Sequence, residues 1–241
     1  MLLANSLVEG FVKSNLMGQG IVALQILGSI VMLAVIIGKS KELAFMGMLV
    51  RRFMRDFSED REVLDYCFRN RPAVTAASLE GIYARTCDRL LKLLTPDTRS
   101  MLAGRGSGNP NAAALTAREI ELVKGACEHA LDEEEIKVER GMGAIATIVA
   151  LSPMLGLLGT VWGVLDAFAE MGSAGSANLA TIAPSISSAL VTTVVGLLIA
   201  IPGVMAYNKL TSTVRNLTSD MEGFADELIG RIACEFQGRG E

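Results

Sequence analysis

No lysine or arginine occurs between Gly141 and Asn208, and that run holds two stretches, 142–169 and 182–207, each apolar and long enough to cross a bilayer. A span needs about 20 predominantly apolar residues. A third stretch, "IVALQILGSIVMLAVII" at Ile21 to Ile37, is interrupted only by Gln25, Gly28 and Ser29 and reaches spanning length over 18–38. Lipid offers backbone N–H and C=O groups no partner, so single segments that cross it must be helical. The apolar fraction of 51% and mean hydropathy of +0.41 coexist with 20% charged residues because the two kinds are sorted into blocks. These features predict an all-α polytopic membrane protein with three transmembrane helices, long helices extending into the cytoplasm, and an oligomeric helical bundle.

Orientation follows from the tendency of Lys and Arg to collect on the cytoplasmic side. Lys39, Lys41, Arg51, Arg52 and Arg55 follow the first span, Lys137 and Arg140 precede the second, and Lys209 and Arg215 follow the third. The link "EMGSAGSANLAT" between the second and third spans carries none. The expected layout is an N-terminal interfacial helix at 1–17, spans at 18–38, 142–169 and 182–207, a cytoplasmic helical domain at 39–141, a periplasmic loop at 170–181, and a cytoplasmic C-terminal helix at 208–241. The N-terminus is thus outside and the C-terminus inside. The first span reads as a retained helix rather than a signal peptide, because its basic residues follow the apolar run instead of preceding it.

Within the middle segment, Leu43 to Phe57, Ser58 to Phe68 and Ala76 to Leu94 have helical spacing, Pro72 and Pro96 act as breaks, and Ala103 to Ala113 is a loop. Thr116 and Glu119 form a capping box that opens a helix. No local signal stops it before Ser152, so one helix is expected to run into the second span. The "DEEE" run at Asp132 to Glu135 reads as a solvated face. Seventeen basic residues between Lys39 and Arg140 are matched by seventeen acidic ones, which leaves no basic field for nucleic acid. Cys67, Cys87, Cys127 and Cys234 lack CxxC spacing, and the single His129 has no partner cluster, so neither a metal site nor a redox pair is signalled. The cysteines read as small buried hydrophobes, and His129 as part of a solvated helix face.

The second span, "SPMLGLLGTVWGVLDAF", carries Gly156, Gly159 and Gly163 at i, i+3 and i+7, with Pro153 near its start. Small residues let helices approach closely in lipid, where apolar burial supplies no drive for association. The third span repeats the pattern with Ser185, Ala189, Thr193, Gly196, Ala200 and Gly203. Pro153 frees the carbonyl near Val149, for which Ser152 is a candidate partner. Thr160 and Thr193 could each bond the carbonyl four residues back in their own helix. Ser185, Ser187, Ser188, Thr192 and Thr193 concentrate hydroxyls that can relay protons through water or ligate Na+ at less cost than a buried charge. Hydroxyls do not titrate near neutral pH, and the nearby carboxylates, Asp166 and Glu170, lie at the outer end of the second span. Such a chain is half of an ion pathway whose titratable group belongs to another protein.

These residues resemble the TolQ/ExbB proton-channel family, related more distantly to the flagellar stator protein MotA. The likeness lies in Ser152 to Phe168, in "APSISSALVTTVVGLLIAIPGVMAYNKL" at Ala183 to Leu210, and in the topology; "GVMAYNKL" is slightly closer to the TolQ branch. It implies an inner-membrane pentamer around a dimer of a single-span TolR/ExbD-like partner, whose aspartate carries the ion and which drives a TolA- or TonB-like envelope protein. By the same resemblance Thr160 and Thr193 face the pore, with Ser188 and Thr192 beside them. Pro153, Gly156, Gly159, Trp162, Gly163, Pro184, Ala189, Gly196 and Pro202 pack or shape the helices. Ser188 stands where the family usually places a glutamate. The implied ion is H+, with Na+ as the alternative, and no cofactor or metal is implied. A gliding-type motor of the same family and a non-conducting membrane scaffold are the rival readings. An enzyme would need a nucleophile with a base or metal inside the spans, where no His, Lys or Arg occurs.

Overall fold

The computed structural model describes residues 16–58, 63, 78–94, 115–174 and 179–236, with side chains left aside at 78, 174 and 179–181. The expected interfacial helix before Leu16, the Ser58 to Phe68 helix after Ser58 (Val63 aside), Pro72, Pro96, the Ala103 to Ala113 loop and most of the link between the second and third spans lie outside these residues. Among the described residues every long element is an α-helix: α1 (Leu16–Ser58), α2 (Ser78–Leu93), α3 (Ala117–Glu139), α4 (Met142–Ala174) and α5 (Leu179–Phe236). Three stretches are long and apolar enough to cross a membrane, one in α1, one in α4 and one in α5.

The capping box forms as its spacing predicts. Thr116 N–H donates to Glu119 Oε2 at 2.8 Å, and Glu119 N–H donates back to Thr116 Oγ1 at 3.3 Å. The helix it opens stops earlier than expected. Arg140 leaves helical geometry with ψ 130°, and Gly141 has φ +89°, a left-handed conformation that glycine adopts without steric penalty. α3 and α4 are therefore separate helices. Proline does not end the others: Pro153 lies inside α4, and Pro184 and Pro202 lie inside α5.

The chain divides into two compact units. The first comprises residues 16–40 of α1, all of α4, and α5 up to Thr211. Within it α1 runs antiparallel to α4, as Gln25 meets Ser152 and Gly28 meets Ile148. α4 in turn runs antiparallel to α5, with Gly156, Gly159 and Gly163 facing Thr193, Thr192 and Ala189 in descending order. Large apolar side chains such as Ile30, Leu157, Leu165, Leu198 and Met205 point outward, an inversion suited to lipid on the outside.

The second unit holds the rest of α1, then α2, α3 and the end of α5. Its interior is apolar at helical spacing: Val50, Phe53 and Phe57 from α1, Ile82, Tyr83 and Leu90 from α2, Val123 and Cys127 from α3, Met221, Phe224, Leu228 and Ile232 from α5. Phe224 meets Phe53 and Phe57 edge-on, with centroids 5.3 Å away in both cases. Tyr83 donates its hydroxyl to the carbonyl of Val63, whose own N–H donates to Glu235 Oε2 at 3.0 Å.

Two details of this unit depart from their sequence reading. Glu134, within the "DEEE" run, is fully buried, because one of four consecutive helix positions must turn toward the core and Arg85 of α2 awaits it there. Cys87 and Cys127 are buried, but Cys234 is exposed. His129 is solvent-facing, as its sequence reading expected, and stands 3.4 Å from Glu133.

Candidate functional site

In the membrane-type unit the polar side chains converge on one turn of α4 and one of α5. Glycine at 156 brings them together: a Cβ there would lie 2.8 Å from Thr193 Cα and 2.9 Å from the Thr192 carbonyl oxygen, closer than a methyl group fits. A Cβ on Gly159 would overlap the Thr192 hydroxyl, and one on Gly163 would come to 2.5 Å from Ala189 Cβ. The backbones therefore approach until hydroxyls on one helix reach carbonyls on the other.

Thr193 Oγ1 donates to the carbonyl of Gly156 at 2.8 Å, crossing between helices rather than bonding four residues back in its own. The bare glycine face puts a neighbour's carbonyl within reach. Thr192 Oγ1, buried, lies 2.7 Å from Ala189 O and 3.0 Å from the same Gly156 O. A hydroxyl has one proton and a carbonyl two lone pairs. In the helical ladder Gly156 O also receives the N–H of Thr160, four residues on. With Thr193 on the second lone pair, the Thr192 proton goes to Ala189. The Gly156 carbonyl thus links Thr160 and Thr193, with the Thr192 hydroxyl beside it.

Thr160, Ser188 and Ser152 bond within their own helices. Thr160 is half-buried and donates to Leu157 O at 2.8 Å, lining an open groove of about 390 Å³ with Val161, Val164, Leu165 and Phe168. Ser188 is buried and donates to Ser185 O at 2.9 Å. Ser152 donates to Ile148 O at 2.7 Å, one residue before the carbonyl that Pro153 releases. Toward the outer end, Ser185 donates to Glu170 Oε2 at 3.2 Å. Asp166 and Trp162 line a second groove of about 390 Å³ with Leu16 and Met17. Pro153 is half-buried, and Pro184, Pro202 and Trp162 face outward.

Gln25 carries no role in the sequence reading, yet it is 1% exposed and sits at the centre of this layer. Its Nε2 donates to Ser152 O at 3.1 Å and to Thr192 O at 3.3 Å, which joins α1 to both α4 and α5. A carboxamide in the middle of the apolar run from Ile21 to Ile37 is the signal that could have found it, since an intramembrane polar side chain needs partners. The layer as a whole offers oxygens that can ligate a cation or relay a proton through water. It offers no group that itself exchanges a proton near neutral pH.

The profile of the MotA/TolQ/ExbB proton channel family matches residues 102–223. The Tol-Pal system protein TolQ of Pseudomonas aeruginosa is 41% identical over 108 residues, 45% of this chain and 47% of that protein. The protein of the same name from Haemophilus influenzae is 40% identical over 109 residues, 44% and 48% of the two chains. The biopolymer transport protein ExbB of Xanthomonas campestris pv. campestris is 34% identical over 124 residues, 52% and 49%. The chain spans about half the length of the relatives it matches.

Proposed function

Because this chain belongs to the MotA/TolQ/ExbB proton channel family, we propose that it is the ion-conducting stator subunit of an inner-membrane motor. In this reading copies of the chain, as a pentamer, surround a single-span TolR/ExbD-like dimer. Ion motive force then moves that dimer and energises an envelope protein of TolA/TonB type. The observation that carries the proposal is the hydroxyl layer on Gly156, which falls inside the segment the family profile covers. The family is one of channel and stator proteins rather than of enzymes.

The physics needs no covalent chemistry. One charge crossing the membrane releases about 2.3 kcal/mol per 100 mV, enough to change an equilibrium between two packings more than tenfold. The α4 and α5 oxygens would smooth the path of the ion, and the titrating carboxylate would come from the partner. Ser188 makes the path free of an acid of its own at that position, so H+ carried by the partner is the proposed ion and Na+ the alternative.

A non-conducting scaffold is favoured by a different observation: the Thr160 and Thr193 hydroxyls are both satisfied by carbonyls, as packing alone would arrange. The test is motor-dependent activity with the co-purified single-span partner, for wild type, Thr160→Val and Thr193→Val, in Na+-free and Na+-containing buffer. Each substitution removes one hydrogen bond worth about 0.5–1.5 kcal/mol, too little to prevent assembly. Conduction requires that both variants assemble and lose activity; full activity in both leaves the scaffold. Dependence on Na+ would identify the ion.

A further inference from the structure

Three hydrogen bonds between helices gather on two turns, Ser152 to Gly156 of α4 and Thr192 to Gly196 of α5. Two of the three come from Gln25. The carbonyls it bonds, Ser152 O and Thr192 O, lie four residues before Gly156 and Gly196, so in the helical ladder each already accepts a glycine N–H. Glycine is what lets a third helix reach them: a Cβ at Gly196 would lie 2.5 Å from Ser152 O and 2.9 Å from Gln25 Nε2.

The choice of glutamine is informative. An apolar side chain of similar size would fill the same space without burying an amide. The carboxamide oxygen, Oε1, is buried and meets no hydrogen-bond donor among the described residues, a cost that simple packing would avoid. What glutamine supplies and an apolar side chain does not is a planar pair of N–H donors that binds carbonyls on two helices at once. With both acceptors in front of Nε2, the amide orientation is settled.

We propose that Gln25 is a positioning residue for the ion path, tying α1 to both hydroxyl-bearing helices and setting the register at which Thr193 meets Gly156. The assignment rests on the conducting reading above. Both bonds share their acceptors with the ladder, so letting go of either strands no carbonyl, which keeps its glycine N–H, and only the freed amide N–H must find another acceptor. The clamp can therefore release and re-form as α4 and α5 shift between two arrangements. The donors and acceptors around it are carbonyls and threonine hydroxyls, which neither gain nor lose a proton near neutral pH.

The test is proton flux, read by a trapped pH-sensitive dye, in vesicles of phosphatidylethanolamine and phosphatidylglycerol holding the full chain with its co-purified single-span partner. Wild type, Gln25→Leu and Gln25→Glu are compared across pH, with oligomer size measured for each. Gln25→Leu is expected to assemble and to lose flux about tenfold or more at every pH, the ratio that 1.4 kcal/mol produces. In Gln25→Glu the protonated carboxyl keeps one donor, whereas the ionised form turns two acceptors toward two carbonyls. Its flux relative to wild type at the same pH is expected to survive in acid and fall as pH rises, a change that loss of packing would not create. Wild-type flux and pH profile in both variants overturns the proposal, as does failure of both to assemble. If Gln25→Leu alone fails to assemble, the pH profile of Gln25→Glu decides. Absence of flux from wild type overturns the conducting reading itself, whereas a defect confined to the Gln25 variants upholds both.

Discussion

Glu134 has no exposed side-chain surface and is held by Arg85 Nη2 at 2.9 Å and Lys137 Nζ at 2.7 Å. Arg85 also donates to Ala130 O at 3.3 Å, which fixes its guanidinium between α2 and α3. Removing one partner of a buried pair leaves an uncompensated charge, which typically costs 3–5 kcal/mol. Lys137 remains in Arg85→Met, so the expected loss is about 3 kcal/mol, at the lower end of that range. Thermal unfolding of the full chain in detergent checks it, and Arg85→Met combined with Glu134→Leu should recover much of the loss because no charge stays buried. Cys127 gives a chemical readout of the same interior. Burial pushes its thiol up, outweighing the hydrogen bond with Thr86, and Glu128 and Asp226 add to the rise. With less thiolate available, a chain retaining only Cys127 should react with iodoacetamide on the order of tenfold more slowly than one retaining only the exposed Cys234. Equal rates would contradict that burial. The burial of Cys127 is what its sequence reading expected, whereas that of Glu134 was not legible, because a helix shows which positions share a face but not which face another helix will cover.

At the scale of the element, the helices divide their glycines into those that hold contacts and those that do not. A Cβ at Gly196 would press on the main-chain oxygen of Ser152, which cannot step aside without moving α4. Gly196→Ala should therefore cost about 1–3 kcal/mol, as overpacking does. Gly125 of α3 has nothing within 4 Å of a Cβ, so Gly125→Ala should instead stabilise by about 0.5–1 kcal/mol through helix propensity. Melting temperatures that moved in the same direction would refute the contrast. The ionisable groups of α3 pull stability in opposite directions with pH. Hydrogen bonds from the Thr116 backbone and hydroxyl hold Glu119 below the usual carboxylate range, so its contribution is present above the unfolded value and lost as pH falls through the folded one. Burial raises Glu135, reinforced by Glu222, Asp132 and Glu139. The folded state then binds that proton more tightly than the unfolded one, and stability falls as pH rises through the raised value. Glu135→Gln should raise the melting temperature at neutral pH, with the gain shrinking as the solution is acidified below that value. The capping box was readable because its signal spans four residues. The stop at Gly141 was not, because glycine permits a left-handed turn without requiring one.

For the whole molecule, each unit has its own interior, one with large apolar side chains directed outward and the other with aromatic rings directed inward. The proposed topology places the second unit in the cytoplasm, where the exposed Cys234 would lie. In intact cells a chain retaining only Cys234 should react with a membrane-permeant maleimide and not with a charged, impermeant one until the membrane is opened; labelling by the impermeant reagent in intact cells would reverse the orientation. Fold class, the three spans and the kinship were determined by the sequence alone, because bilayer thickness, backbone hydrogen bonding and helical periodicity act on residues close together in the chain. The glycine and threonine stripes were also visible there, as positions on one helix. Tertiary structure alone decided which carbonyl each hydroxyl meets, that Glu134 is buried, and that Gln25 joins three helices. Such contacts bring together residues up to 167 positions apart, and they depend on how closely two backbones approach, a distance no single segment encodes.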